Sequence, residues 1–276
     1  MKYYQFVFEE LTEEKISILI ALLNDIGFTG FEEADDSLKA FIKTDDLKEE
    51  LFDSVMSTTA IQFSRSVIEE INWNEKWEAG FEPVTILYPE TGKPFVHLRA
   101  GFHAAGKDAK HDIVITPKMS FGTGHHATTY LMIQHMSKIN FENKRVIDFG
   151  TGTGVLAILA EKMGATNIIA IDNDDWSINN AGENIIANHC NRISLQKAET
   201  ISVSDKAAVI LANINLHIIV HNIAAINHAA ETGAMILFSG MLLQDEPIIT
   251  AALKTANIDL MEVFYKNGWI AVLAKI

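Results

Sequence analysis

The chain has 276 residues, a formal net charge of −14 and one cysteine, Cys190, so an internal disulfide is excluded. A hydrophobic share of 48% with only 5 prolines is that of a globular protein able to bury one large core or two smaller ones. No apolar run reaches the roughly 18 residues of a bilayer-crossing helix, and the opening MKYYQFVFEELTEEK turns acidic too soon for a secretory signal, so a cytoplasmic protein without a membrane partner is expected.

Residues 1–70 read strand, helix, strand, strand, helix, strand. Tyr3 to Phe8 is β-like, Thr12 caps a helix running to about Ile26, and Gly27-Phe28-Thr29-Gly30-Phe31 breaks it and starts a strand. Leu38 to Lys43 alternates, Asp45 opens a second helix, and Ile61 to Ile68 closes the set. A βαββαβ order of this size predicts a small α+β domain of the split-βαβ, ferredoxin-like kind. Its 16 Asp and Glu against 6 Lys and Arg give a net of −10, leaving −4 for the other 206 residues. That sign argues against direct nucleic-acid binding and suits a basic protein partner, although it also suits simple solubility.

Trp73, Trp77 and Phe81 recur every four residues, as on one face of a short helix packed between domains. The predicted division is therefore 1–70 for an acidic domain, 71–83 for a linker helix and 84–276 for the remainder. Val84–Leu87, Phe95–Leu98 and Ile113–Ile115 look like strands around a loop holding Gly92 and Pro94. From Arg145 onward strands at 145–149, 167–171, 193–196, 207–212, 234–239, 258–264 and 269–274 alternate with helices at 154–163, 174–189, 215–230 and 244–256. Repeated βα units imply a mostly parallel, doubly wound sheet. Only Lys266-Asn267-Gly268 separate the last two strands, too few for a parallel crossover, so the final strand must run antiparallel.

The segment DFGTGTG, Asp148 to Gly154, joins the first of these strands to its helix, where an open α/β sheet binds its ligand. Counted from Gly152, the small residues Gly152, Gly154 and Ala157 satisfy the dinucleotide spacing, so an NAD(P)-dependent oxidoreductase stays open on spacing alone. The loop has no lysine, which excludes a P-loop. Asp148 at the strand end would repel a pyrophosphate but could accept from an ammonium. Asp172, ending the second strand, sits where an acid receives the ribose hydroxyls of an adenosine. A nucleoside with a cationic amino-acid tail, S-adenosyl-L-methionine, fits this set better.

DFGTGTG with Asp172 resembles motif I and the ribose acid of class I methyltransferases. FGTGHHATT, Phe121 to Thr129, followed about twenty residues later by VIDFGTGTG, resembles the methyltransferases of large-subunit ribosomal protein eleven. The Trp73–Pro83 segment and Ala212-Asn213-Ile214 match the same family, and the similarity runs from about residue 72 to 276. The resemblance implies a Rossmann-type, class I methyltransferase-like sheet and a protein N-methyltransferase acting on lysine side chains and the N-terminal amine of that ribosomal protein. It also implies cofactor contacts at Thr129, Gly150, Gly152, Asp172 and Asn213; Asn213 is the candidate catalytic residue, placed to touch the reacting amine, the methionine moiety or both. Ala127 replaces a frequent proline, and Asn213-Ile214-Asn215-Leu216-His217 departs from the usual Asn-Ile-Leu-Ala, which leaves the substrate side around Asn215 and His217 open. A methyltransferase for RNA or a small molecule, and a cofactor-binding adaptor, remain as alternatives. His125-His126 and the His217/His221 pair lack the company of a zinc motif, so no metal is expected. A monomer is expected. His126 is read as a loop hydrogen-bonding residue, Trp176 as an adenine or core contact, and Ser239-Gly240 as a turn.

Overall fold

The computed structural model describes residues 2–34, 36–59, 61–69, 81–106, 108–116, 122, 124–202 and 206–276. The expectations for Trp73, Trp77, Phe121 and Thr123 lie outside these residues. The chain forms two compact units, Met1–Lys76 and Trp77–Ile276.

In the first unit β1 (Lys2–Phe8), α1 (Glu13–Asp25), β2 (Gly30–Ala34), β3 (Ser37–Lys43), α2 (Glu49–Thr59) and β4 (Phe63–Glu69) follow one another in the order the sequence predicts. The sheet order is β2-β3-β1-β4, with every neighbouring pair antiparallel. Thr12 caps α1 by accepting from the Lys15 amide at 3.4 Å. The second helix begins four residues later than Asp45, because Thr44 and Asp46 are held in a turn. The Thr44 amide and hydroxyl both donate to the Lys2 carbonyl, and the Asp46 amide donates to Lys43. Helical dihedrals can start only after that turn. The core is aromatic: Phe6 packs on Phe52 at 4.4 Å and on Phe28 at 5.3 Å between ring centroids.

The second unit opens with β5 (Val84–Leu87), β6 (Pro94–Arg99) and β7 (His111–Val114), a three-stranded sheet. It continues through α3 (Ala127–Met136), β8 (Arg145–Phe149), α4 (Val155–Lys162), β9 (Asn167–Asp172), α5 (Asp175–Ala187), β10 (Ile193–Lys197), β11 (Ala207–Asn213), α6 (Leu216–Ala229), β12 (Ala230–Leu242), α7 (Glu246–Thr255), β13 (Asp259–Lys266) and β14 (Trp269–Lys275). The large sheet has the order β10-β9-β8-β11-β12-β14-β13. Neighbours from β10 to β12 are parallel, while β14 runs antiparallel to β12 and, as the two-residue hairpin turn at 267–268 requires, to β13.

Alternate side chains of the same strands enter two cores. Val146, Val209 and Leu211 face Leu131, Leu156 and Ile158 of α3 and α4. Ile147, Ile210 and Ala212 face Ile219, Ile226, Ile249 and Leu253 of α6 and α7. Strands covered on both faces read as unbroken apolar runs, and burying each such side chain contributes about 1.5–3 kcal/mol. Ser239-Gly240 is not a turn. β12 continues through it with a register shift between Phe238 and Met241, and Gly240 has φ +87°. A Cβ there would strike the backbone of Ile214, so glycine lets the strand pass beneath the end of β11. Among the described residues no helix is long and apolar enough to cross a membrane.

Candidate active site

The C-terminal ends of β8 to β12 converge on a cavity of about 410 Å³. Gly150, Gly152, Asp172 and Asn213 line it, together with Asn173, Ser177, Ala198, Glu199, Ile214, Asn215, His126 and Trp269. Four of the five residues predicted to hold the cofactor are thus brought together.

The glycine loop is shaped by its backbone. Gly150, Gly152 and Gly154 have φ of 80°, 54° and 79°, the left-handed region that glycine enters without strain. A Cβ on Gly150 would collide with the Ile214 side chain at the cavity wall, and one on Gly154 would sit 3.2 Å from Ala181 of α5. The first glycine therefore keeps the cavity open, and the third lets α4 start close against its neighbour.

Asp172 anchors the loop. Its Oδ2 accepts from the Gly152 amide at 2.9 Å and its Oδ1 from the Asp174 amide at 3.1 Å. Each oxygen keeps a lone pair for a vicinal diol. Asp148 does not meet the cavity. The alternation of β8 turns it toward α4, where it is fully buried and its Oδ2 accepts from the Thr151 hydroxyl at 2.6 Å and the Ala157 amide at 3.2 Å. Burial pushes its carboxyl up to about 7. It braces the loop from below, where the sequence suggested a direct meeting with the ligand.

Asn213 ends β11 at the opposite side. Its Nδ2 donates to Thr129 Oγ1 at 3.4 Å, and its Oδ1 is buried without a hydrogen-bond partner among the described residues. Thr129, fully buried in the first turn of α3, is not part of the cavity lining; it stands behind Asn213. His126 caps α3. Its Nδ1 lies 3.3 Å from the Thr128 amide, which donates to it, and 2.7 Å from the Thr128 hydroxyl, and burial lowers its pKa. Its ring meets Trp269 edge to face at 4.6 Å. The His126–Trp269 pair forms a wall near Asn213 that the sequence did not suggest for Trp269.

The other sequence candidates separate clearly. Asn215 lines the cavity as the residue before α6, whereas His217 and His221 are exposed and outside it. Trp176 is 52% exposed and also outside it. Ser239 is buried and donates to the Ile270 carbonyl at 2.7 Å. Burial pushes the half-buried Cys190 thiol up to about 11, which keeps it unreactive. Ala198 and Glu199, just past β10, were missed; the rule that ligands lie beyond strand C-termini would have found them. A wider groove between α6 and α7 is lined by Val220, Ile223, Ala251 and Ala252. The Asn227 amide there already donates to the Ala256 carbonyl at 2.7 Å, so its polar capacity is engaged elsewhere.

A nucleoside with an ammonium-bearing tail fits this cavity: a carboxylate for a diol at one end, close backbone in the middle and, at the other, an amide oxygen without a partner among the described residues. A parallel sheet with one reversed strand, carrying a glycine loop and such an acid at its switch point, is the fold of a class I methyltransferase. The crystal structure of the ribosomal protein L11 methylase from Lactobacillus delbrueckii subsp. bulgaricus matches with a TM-score of 0.60 at 28% identity, over 65% of this chain and 93% of that one. The chain belongs to the family described as ribosomal protein L11 methyltransferase (PrmA), whose model matches residues 15–276. A ribosomal protein L11 methyltransferase of Porphyromonas gingivalis is 36% identical over 287 residues, covering 99% of this chain and 97% of the relative. One of Phocaeicola vulgatus is 33% identical over 282 residues, covering 99% and 98%.

Proposed function

We propose that this protein transfers methyl groups from S-adenosyl-L-methionine to amines of large-subunit ribosomal protein L11, lysine side chains and the N-terminal amine among them. The observation that carries this is the buried Oδ1 of Asn213, without a partner among the described residues, in the cavity that Gly150, Gly152 and Asp172 also line. The cofactor, when bound, supplies an electrophilic methyl group on a sulfonium.

The chain's residues then have distinct tasks. Asp172 accepts the ribose hydroxyls while holding Gly152, and the Gly150–Gly152 backbone lies against the nucleoside. Asn213 accepts an N–H of the incoming amine, which leaves the nitrogen lone pair free to point along the displacement axis. Thr129 completes the cofactor set through Asn213, whose amide it touches. A lysine of ordinary pKa, about 10.4, is neutral in roughly one molecule in 10³ at pH 7. An apolar wall made by Trp269 and Ile214 disfavours the charged form, so no strong base is needed.

Residues 1–70, with their net charge of −10, recognise the basic ribosomal protein; 71–83 connect, and 84–276 bind cofactor and catalyse. The enzyme works as a cytoplasmic monomer with no direct nucleic-acid contact. Intact-mass spectrometry of purified L11 after incubation with enzyme and S-adenosylmethionine tests the proposal, with ribosomal RNA as the control acceptor. Mass gains in methyl steps on the protein alone are expected. Methylation of the RNA with none of the protein would refute it.

A further inference from the structure

Helix α5 carries three asparagines at four-residue spacing, Asn180, Asn184 and Asn188, the last being its C-cap, and all are buried. Asparagine is a poor helix former, and an apolar residue would fill such a stripe more simply. Here the side chains serve the backbone of other elements. Asn188 pairs with Val114 as a strand would, taking its amide at 3.0 Å and giving to its carbonyl at 2.6 Å. Asn184 accepts from the Thr116 amide at 2.7 Å and donates to the Thr153 carbonyl and to Asn180 Oδ1, each at 2.8 Å.

Thr153 lies between Gly152 and Gly154 in the glycine loop, and its hydroxyl donates to the Gly122 carbonyl at 3.0 Å. A Cβ on Gly122 would run into that hydroxyl. Thr116 and Gly122 therefore both hang from one residue of the loop, the first through Asn184 and the second directly. A few residues past Gly122 come His126, which packs on Trp269, and Thr129, which holds Asn213. Hydrogen bonds thus tie the loop that faces the nucleoside to Thr116 and Gly122, and the chain leads on from Gly122 to the residues that face the acceptor. Both amide hydrogens of Asn184 and of Asn188 are used, and a buried network so satisfied fixes one arrangement and can carry a shift at one end to the other.

Resting on the cofactor reading above, we propose that Asn184 is a positioning residue that couples occupancy of the glycine loop to the placement of Thr116, Gly122 and the start of α3, so that the acceptor end is set when cofactor binds. The test is hydrogen exchange by mass spectrometry on the full chain, with and without S-adenosylhomocysteine. In the wild type, peptides covering 150–157 and 124–131 should both exchange about fivefold or more slowly with ligand. In Asn184→Leu the first should stay protected and the second should change less than about twofold, with kcat down about tenfold and S-adenosylhomocysteine Kd within about threefold. Thr153→Val removes only the Gly122 link and should behave alike, and Thr153→Ser should restore the wild-type pattern. These two decide the matter if Asn184→Leu does not fold. Protection of 150–157 without 124–131 in the wild type overturns the coupling, as does transmission that survives in the variants. No protection at 150–157 in the wild type overturns the cofactor reading itself.

Discussion

In the four-stranded sheet of residues 1–76, β3 alternates buried and outward positions, with Leu38, Ala40 and Ile42 inward and Lys39 and Lys43 outward. In the seven-stranded sheet, β11 is buried along Ala207 to Ala212 without interruption. The larger unit uses both sheet faces for its core, so its ligand contacts can come only from strand ends and loops, which is where Gly150, Asp172 and Asn213 lie. The smaller unit buries one face of its sheet, and its exposed carboxylates stand mainly on the helices, turns and edge strand, among them Glu32, Glu49, Glu50 and Asp53. The two units thus bury their sheets in different ways, and the proposed division of recognition and catalysis follows that difference.

The sharpest way to break this division is to remove the small unit. Deleting residues 1–70 should leave S-adenosylhomocysteine affinity, read by calorimetry, within about threefold while abolishing methylation of L11. Normal turnover by the truncated chain would show that the acidic unit recognises nothing. Next in size is Asp172→Ala, which removes a charge-assisted contact worth about 1.5–3 kcal/mol and should weaken cofactor binding roughly 10- to 100-fold. It also frees the Gly152 amide, so a loss above that range would mean that loop order contributes as much as the direct contact.

The smallest effect is a drift with pH. Burial raises Asp148 to about 7, so from its ordinary value near 3.9 up to that point the folded chain keeps a proton the unfolded chain has released. Its contribution to stability is full at acid pH and declines as pH rises toward 7. Urea unfolding of Asp148→Asn should gain on the wild type across that range. A constant difference would mean the carboxyl is already ionised when folded.

What could be read in advance follows the same division. The run Ala207-Ala208-Val209-Ile210-Leu211-Ala212 declares a doubly covered strand, and the short hairpin before Trp269 dictates its reversal. The glycine loop and Asp172 are local in sequence, so their meeting was legible. The Asp45 helix start misled because the turn that delays it depends on the Lys2 carbonyl, 42 residues away in sequence from Thr44. Thr129 and Asn213 are 84 residues apart, and their contact exists only once α3 has packed beside β11. The same holds for the α5 asparagines, whose spacing is visible but whose partners on β7 and the loop are not.

The reversed strand β14 has an effect beyond topology. Because it runs against its neighbours, its first residue emerges at the edge where the parallel strands end, which is how Trp269 reaches the cavity. The turn at 267–268 is a hairpin rather than a crossover, and hairpin turns change length and composition without re-routing a helix. The cavity wall at Trp269 can therefore drift in evolution, or be redesigned, while the strands that carry Gly150 and Asp172 stay as they are.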